Sequence, residues 1–90
     1  MTERAVFRVE DTEPKLGIIS LRDGTEIPAG QSKYMANFIL SVLVWLRFID
    51  STDRASLRAS IDSSGLPAYL GIADQQRMLQ LAEMMQYAEP

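Results

Sequence analysis

Hydrophobic and polar residues alternate near the start of the chain, and a long apolar run follows Gly30. In the segment Ala5–Val9, Phe7 and Val9 fall on one side and the residues between them on the other, while the segment from Leu16 to Leu21 is rich in β-branched residues. Both patterns are typical of β-strands. We therefore predict two strands, separated by the polar segment 11–15.

The second strand is followed by a strong turn sequence, Arg22-Asp23-Gly24. A three-residue loop with Gly24 in the left-handed conformation places Ile19 opposite Ile27, so that apolar residues share one face. A two-residue Asp-Gly turn would mix polar and apolar residues on both faces. Pro28 cannot donate a ladder hydrogen bond, so it ends the strand or marks a sheet edge. The first thirty residues thus predict an antiparallel β-hairpin or a three-stranded sheet.

The longest element is predicted between Gln31 and Asp50. This segment contains no glycine or proline. Its alternating apolar residues could also form a strand, but its length favours a helix because strands usually run 4–8 residues. The apolar run from Tyr34 to Ile49 would reach roughly 24 Å, which is short of a hydrocarbon core of about 30 Å. We interpret it as a central hydrophobic helix in a protein without a membrane span.

Two more helices complete the predicted fold. Ser51-Thr52-Asp53 offers capping side chains for a short surface helix that Ser63-Ser64-Gly65 ends. Asp74 is predicted to cap a last helix from Gln75 to about Ala88, whose core stripe is Met78, Leu81, Ala82 and Met85. The sequence therefore predicts an α+β fold in one domain, residues 1–90, with a β-rich part at 1–30 and a helical part at 31–90.

The central helix has large apolar residues on more than one of its sides. At 100° per residue, one half of its circumference is apolar and is assigned to the core. Trp45 falls in this half, although tryptophan is also common at binding hot spots. The full set is Tyr34, Met35, Phe38, Ile39, Val42, Leu43, Trp45, Leu46 and Ile49.

The other half contains a second apolar stripe, formed by Leu40, Val44 and Phe48. Polar residues edge this stripe, namely Asn37, Ser41 and Arg47. Two interpretations stay open. The hairpin and the last helix could wrap the central helix on all sides, although a domain this small hides only about 60% of its unfolded-chain surface. Alternatively, these six residues form an interface with a second chain, most simply across a two-fold axis.

Composition narrows the chemistry that the chain can perform. It has no cysteine and no histidine, which excludes thiolate metal sites, cysteine nucleophiles and the commonest general base. No nucleotide-binding or nucleophile motif is present. The carboxylate pairs Glu10–Asp11 and Asp50–Asp53 are explained by a solvated turn and a helix start. We predict no enzymatic activity, no catalytic residues, no cofactor and no metal.

By elimination, the predicted function is protein binding. We expect a small cytoplasmic regulator, inhibitor or adaptor that acts as a homodimer through its hydrophobic helix face. An alternative is a small DNA-associated transcriptional regulator with Arg54, Arg58 and Arg77 as phosphate contacts. A net charge of -3 makes nucleic acid an unfavourable partner. A second alternative is a structural subunit of a larger assembly, with heterologous contacts in place of a closed dimer.

Overall fold

The computed structural model describes residues 4–88, except for the side chains of Met85, Tyr87 and Ala88. It confirms the predicted α+β architecture, a three-stranded antiparallel sheet followed by three helices. The strands are β1 (Val6–Glu10), β2 (Leu16–Ser20) and β3 (Glu26–Gly30), in the order β1-β2-β3, and the helices are α1 (Lys33–Trp45), α2 (Ser51–Asp62) and α3 (Ile72–Ala88). None of the described helices is long and apolar enough to cross a membrane.

The hairpin between β2 and β3 has the predicted register. Ile19 pairs with Ile27, and the Leu21 N–H donates to the Thr25 carbonyl at 2.8 Å. Gly24 adopts the left-handed conformation with φ 91°, which suits a residue without a Cβ. The turn therefore places Ile19 and Ile27 together on the face that packs against the core.

β3 is an edge strand, as Pro28 predicts, although the strand continues through Pro28 to Gly30. Pro28 lies opposite Ile18, next to an irregularity in the pairing of β2. Its carbonyl oxygen accepts a hydrogen bond of 2.6 Å from the Arg77 guanidinium. This bond ties α3 to the edge of the sheet.

Helix α1 ends at Trp45, five residues before the predicted end at Asp50. The Phe48 N–H donates to the Leu43 carbonyl at 2.9 Å, and Arg47 takes the left-handed conformation with φ 65°. This is the Schellman arrangement, which usually places glycine where Arg47 stands. The sequence prediction is wrong at this end because the chain reverses there without a glycine.

Helix α3 begins at Ile72, so the predicted start at Gln75 is wrong by three residues. Its first turn is closed by the bond from the Gln75 N–H to the Gly71 carbonyl, which places Asp74 inside the turn and not at the cap. Met78 and Leu81 are half-buried, as expected for a core stripe, whereas Ala82 is exposed. The predicted place of Met85 in that stripe lies outside the described side chains.

The core lies between one face of the sheet, α1 and α2. Helix α2 packs against both α1 and β1. The largest fully buried apolar side chains come from the sheet and from these two helices, namely Ile19, Met35, Leu57 and Ile61. The predicted surface helix is thus amphipathic, with a narrow apolar side that is completely buried.

Candidate interaction surface

The structure separates the three apolar residues of the predicted interface stripe. Leu40 is 3% exposed and belongs to the core. Val44 is half-buried against the same core. Phe48 is 62% exposed, but it lies beyond the end of α1, so it does not continue the stripe. Within the protomer, Leu40, Val44 and Phe48 therefore do not form one continuous exposed stripe.

Of the three polar residues that were expected to edge the interface, Asn37 lies at the contact between α1 and α2. The Asn37 amide donates to the Asp62 carboxylate at 3.4 Å, and the Lys33 ammonium donates to the Asp62 carbonyl at 2.8 Å. The Ser41 hydroxyl donates back to the Asn37 carbonyl. Arg47 is exposed past the helix end. Helix α2 of the same chain covers the side of α1 that carries Leu40; whether the remaining residues meet a second chain stays a prediction.

The exposed apolar side of α1 is the one that carries Tyr34, Phe38 and Trp45, which we call the outer face. Tyr34 is 56% exposed, Trp45 is 38% exposed and Phe38 is half-buried. Assigning these three to the core was wrong. At 100° per residue the buried arc of α1 is rotated by roughly 70° from the predicted one. Tyrosine and tryptophan carry a polar atom that favours a partly wet position, which is the signal that a count of apolar residues omits.

A groove of about 380 Å³ adjoins the outer face at Phe38. We call it the Phe38 groove. Its walls come from α1, from the connection between α2 and α3, and from one side of α3. The lining residues are Phe38, Leu70, Gln75, Met78, Leu79 and Ala82. Leu79 is 66% exposed, so a large apolar side chain stands at its margin.

A smaller groove of about 190 Å³, the Phe48 groove, lies on the other side of α3. Its exposed apolar residues are Leu46, Phe48 and Met84. The remaining lining residues are Ile27, Ile39, Val42, Leu43, Arg77 and Leu81. Helix α3 therefore has apolar surface open to solvent along both of its sides.

The described residues leave much apolar surface in contact with water. Fourteen apolar residues are buried, whereas nine large apolar side chains are exposed. Single exposed apolar residues are ordinary, but contiguous groups of them mark interaction surfaces. Tyr34 and Leu46 were missed as interface candidates, because the apolar pattern of the central helix assigned both to the core.

A charge cluster at the start of α2 has a structural explanation. Asp53 is 1% exposed, and its Oδ2 lies 2.8 Å from the Arg22 guanidinium, which also reaches Asp50 at 3.1 Å. The Asp50 carboxylate caps α2 by accepting from the Asp53 N–H at 2.9 Å. This backbone bond, with Arg22 adding to it, lowers the pKa of Asp50 below its ordinary value of 3.8. The cluster joins the hairpin turn to α2.

No group of three or more acidic, histidine or cysteine side chains within the described range could hold a metal ion. Comparison of the chain with protein-family models, with curated proteins and with solved structures gives no match. The case for a function therefore rests on the surface itself.

Proposed function

We propose that this protein is a small non-enzymatic protein-binding regulator, inhibitor or adaptor that self-associates through the outer face and the Phe38 groove. The observation that carries this proposal is the exposed aromatic row on α1 beside an apolar groove. Tyr34 and Trp45 project from the same helix face that borders the groove at Phe38.

The arrangement suits a second copy of this chain as the first occupant. A two-fold interface needs a patch that is complementary to itself, with projecting and receiving parts on one surface. The outer face supplies projecting aromatic rings, and the Phe38 groove supplies a receiving concavity next to them. A standard interface takes about 800 Å² from each partner, roughly an eighth of the 6156 Å² that the described protomer exposes.

The same surface supports a regulatory mechanism. Large apolar side chains contribute about 1.5–3 kcal/mol each when they become fully buried, before the cost of association is subtracted. A dimer held by a few such residues can exchange its partner copy for an apolar helix of a target protein. Self-association would then set how much of the surface is free for the target.

The DNA-binding alternative receives no support from the arginine side chains. Arg77 donates to the Pro28 carbonyl, and Arg58 lies 4.0 Å from the Asp62 carboxylate. A phosphate-binding surface needs several cations that point together into solvent. We therefore expect partner binding that changes little with salt, since binding to DNA would weaken steeply as salt is added.

The test is the solution mass by light scattering across protein concentration for the wild type and Trp45→Glu. We expect a wild-type dimer and a folded, monomeric variant, because a charge on the outer face would be buried in the interface. Val6→Glu is the matched control. Val6 is 53% exposed on β1, so this variant is expected to remain dimeric.

Leu40→Glu completes the design. Since Leu40 is 3% exposed, the added charge is expected to unfold the protomer, as shown by loss of the circular dichroism signal. A wild type that stays monomeric at every concentration would overturn the homodimer. A folded Leu40→Glu monomer together with a dimeric Trp45→Glu variant would move the interface to the side of α1 predicted from the sequence.

A further inference from the structure

The two edges of the sheet differ in whether another strand can pair with them. In the order β1-β2-β3, the edge strands are β1 and β3. On β3, Pro28 has no N–H, and its carbonyl oxygen accepts a hydrogen bond from Arg77 at 2.6 Å. A proline in an edge strand prevents a further strand from adding there. β3 is therefore closed to strand addition at its centre, and β1 is the edge that remains.

The hairpin register fixes which backbone groups of β1 point away from the sheet. Along an antiparallel strand, successive residues bond alternately to one neighbouring strand and to the other. Leu21 bonds to Thr25, so the backbone of Ile19, two residues earlier, also turns toward β3. Phe7 lies opposite Ile19, so its N–H and C=O point away from β2, and those of Val9 point the same way. We call the outward backbone groups of Phe7 and Val9 the β1 edge.

The β1 edge is open to solvent. Among the residues that the structure describes, no backbone group or side chain makes a hydrogen bond to these groups of Phe7 or Val9. Buried backbone groups are almost always paired, so unpaired groups of this kind reach water. Exposure agrees, since Val6 is 53% exposed and Arg8 is exposed. The strand Val6–Glu10 also contains no proline or lysine, the residues that commonly protect an edge.

The side chains beside the β1 edge select the kind of strand that it takes. On the side of the sheet away from the core, the Arg8 guanidinium lies 2.7 Å from Glu26 and 3.6 Å from Glu10. One cation serves two carboxylates and is closer to Glu26, so a basic side chain on an added strand would pair with Glu10. On the core side, Phe7 and Val9 are half-buried and would pack against apolar side chains.

The strand β1 is poorly suited to pairing with its own copy. An antiparallel pair over the whole of Val6–Glu10 has its two-fold axis at Arg8, so the two copies of Arg8 lie opposite each other. Like charges directly opposite each other destabilise a pair of strands. A strand of different sequence therefore fits the β1 edge better.

We infer that the β1 edge binds an extended segment of a partner protein by strand addition, a segment in which a basic residue alternates with apolar ones. Main-chain hydrogen bonds to Phe7 and Val9 supply the affinity, and the side chain opposite Glu10 supplies the specificity. The inference rests on the proposed protein-binding function, to which it adds a second surface and the chemistry of its ligand.

The first measurement is the temperature dependence of the amide proton shifts in the ¹⁵N-labelled protein without a ligand. The N–H groups of Phe7 and Val9 should show the steep dependence of groups that bond to water. Those of Val6 and Arg8, which face β2, should show the shallow dependence of groups within a ladder. Equally shallow values at all four residues would overturn the inference, because the edge would then be occupied.

The second measurement is a titration with the acetylated and amidated peptide Lys-Val-Thr-Val-Thr. In an antiparallel pairing its valines lie opposite Val9 and Phe7, and its lysine lies opposite Glu10. We expect saturable shifts of the Phe7 and Val9 amides. N-methylation of the valine next to the lysine removes a bonding N–H and should abolish the shifts. N-methylation of the middle threonine, whose N–H points away from β1, should leave them.

Variants of the chain test the same contact from the other side. Val9→Pro removes an outward N–H and no bond to β2, so it should abolish binding in a folded protein, as circular dichroism checks. Val9→Ala is the matched control, because it keeps the N–H and should keep binding. Glu10→Gln should weaken binding of the lysine peptide by about twofold to fivefold.

Several results would overturn the inference. They are no saturable shift with the lysine peptide, equal binding of the two N-methylated peptides, or tighter binding of a peptide with glutamate in place of the lysine. A folded Val9→Pro variant that loses the wild-type dimer in light scattering would assign the β1 edge to a second copy in place of a partner. A monomeric wild type would overturn the homodimer alone, since the peptide titration does not depend on it.

Discussion

Helices α2 and α3 both pack beside α1, yet they differ in how much of their surface is buried. α2 has 12 residues, and three of them are at most 1% exposed, namely Asp53, Leu57 and Ile61. α3 has 17 residues, and among its described side chains Asp74 alone is buried. The shorter helix is therefore part of the core, while the longer helix lies on the surface with an apolar groove on each side.

This difference shows that apolar content does not decide which helix is buried. The sequence of α2 is polar, with a narrow apolar side, and that side is wholly covered. α3 contains more large apolar residues, of which Ile72, Leu79 and Met84 remain exposed. A helix that leaves such residues in water is better suited to an interface than to holding the protomer together.

The largest expected change in stability is that of Ile61→Ala, for which Ile72→Ala is the matched control. Ile61→Ala should lower the free energy of unfolding by about 2–5 kcal/mol, because it leaves a cavity in the core beside α2. Ile72→Ala, at a residue that is 76% exposed, should change it by at most about 0.5 kcal/mol. Urea unfolding at a fixed protein concentration measures both values. Equal effects would show that α3 is buried as firmly as α2.

Removing the positive charge of Arg22, which lies beside the start of α2, should lower the free energy of unfolding by a smaller amount. Arg22→Gln leaves the buried Asp53 carboxylate without its charged neighbour, which should cost about 1–3 kcal/mol. The control is Arg54→Gln, since Arg54 is exposed on the same helix. Thermal unfolding compares the two variants. A control that is destabilised as much as Arg22→Gln would show that the contact with Asp53 adds nothing.

The smallest effect is a stabilisation at the link between α1 and α2. Arg47→Gly should raise the free energy of unfolding by about 0.5–1 kcal/mol, because glycine adopts a positive φ without a Cβ clash. The same substitution inside α2, Arg58→Gly, should lower it by a similar amount. The denaturant midpoints of the two variants show whether each is more or less stable than the wild type. A loss of stability in Arg47→Gly would contradict the left-handed conformation at that residue.

The sheet was predictable because two local signals agree. The Arg22-Asp23-Gly24 turn and the pairing of Ile19 with Ile27 require the same register, so neither depends on distant parts of the chain. The end of α1 was not predictable in this way. Arg47 gives no sign in the sequence that it will adopt a positive φ.

The exposed side of α1 could not be read from apolar residues alone. Leu40 and Trp45 are both large and apolar, and only the position of α2 decides that Leu40 is buried. Asp53 and Asp74 resemble ordinary residues of a helix start, so their burial depends on how α2 and α3 dock. The candidate surface is therefore a product of tertiary packing, while the strands are products of local sequence.

The weak attachment of α3 has a consequence for the behaviour of the native state. Apart from Asp74, its described side chains are half-buried or exposed, and one side-chain hydrogen bond, from Arg77, ties it to the sheet. Elements with little burial open at a lower free energy than the core. We therefore expect the backbone amides of α3 to exchange with solvent before the hydrogen-bonded amides of the sheet, α1 and α2, because α3 can open while the core stays folded.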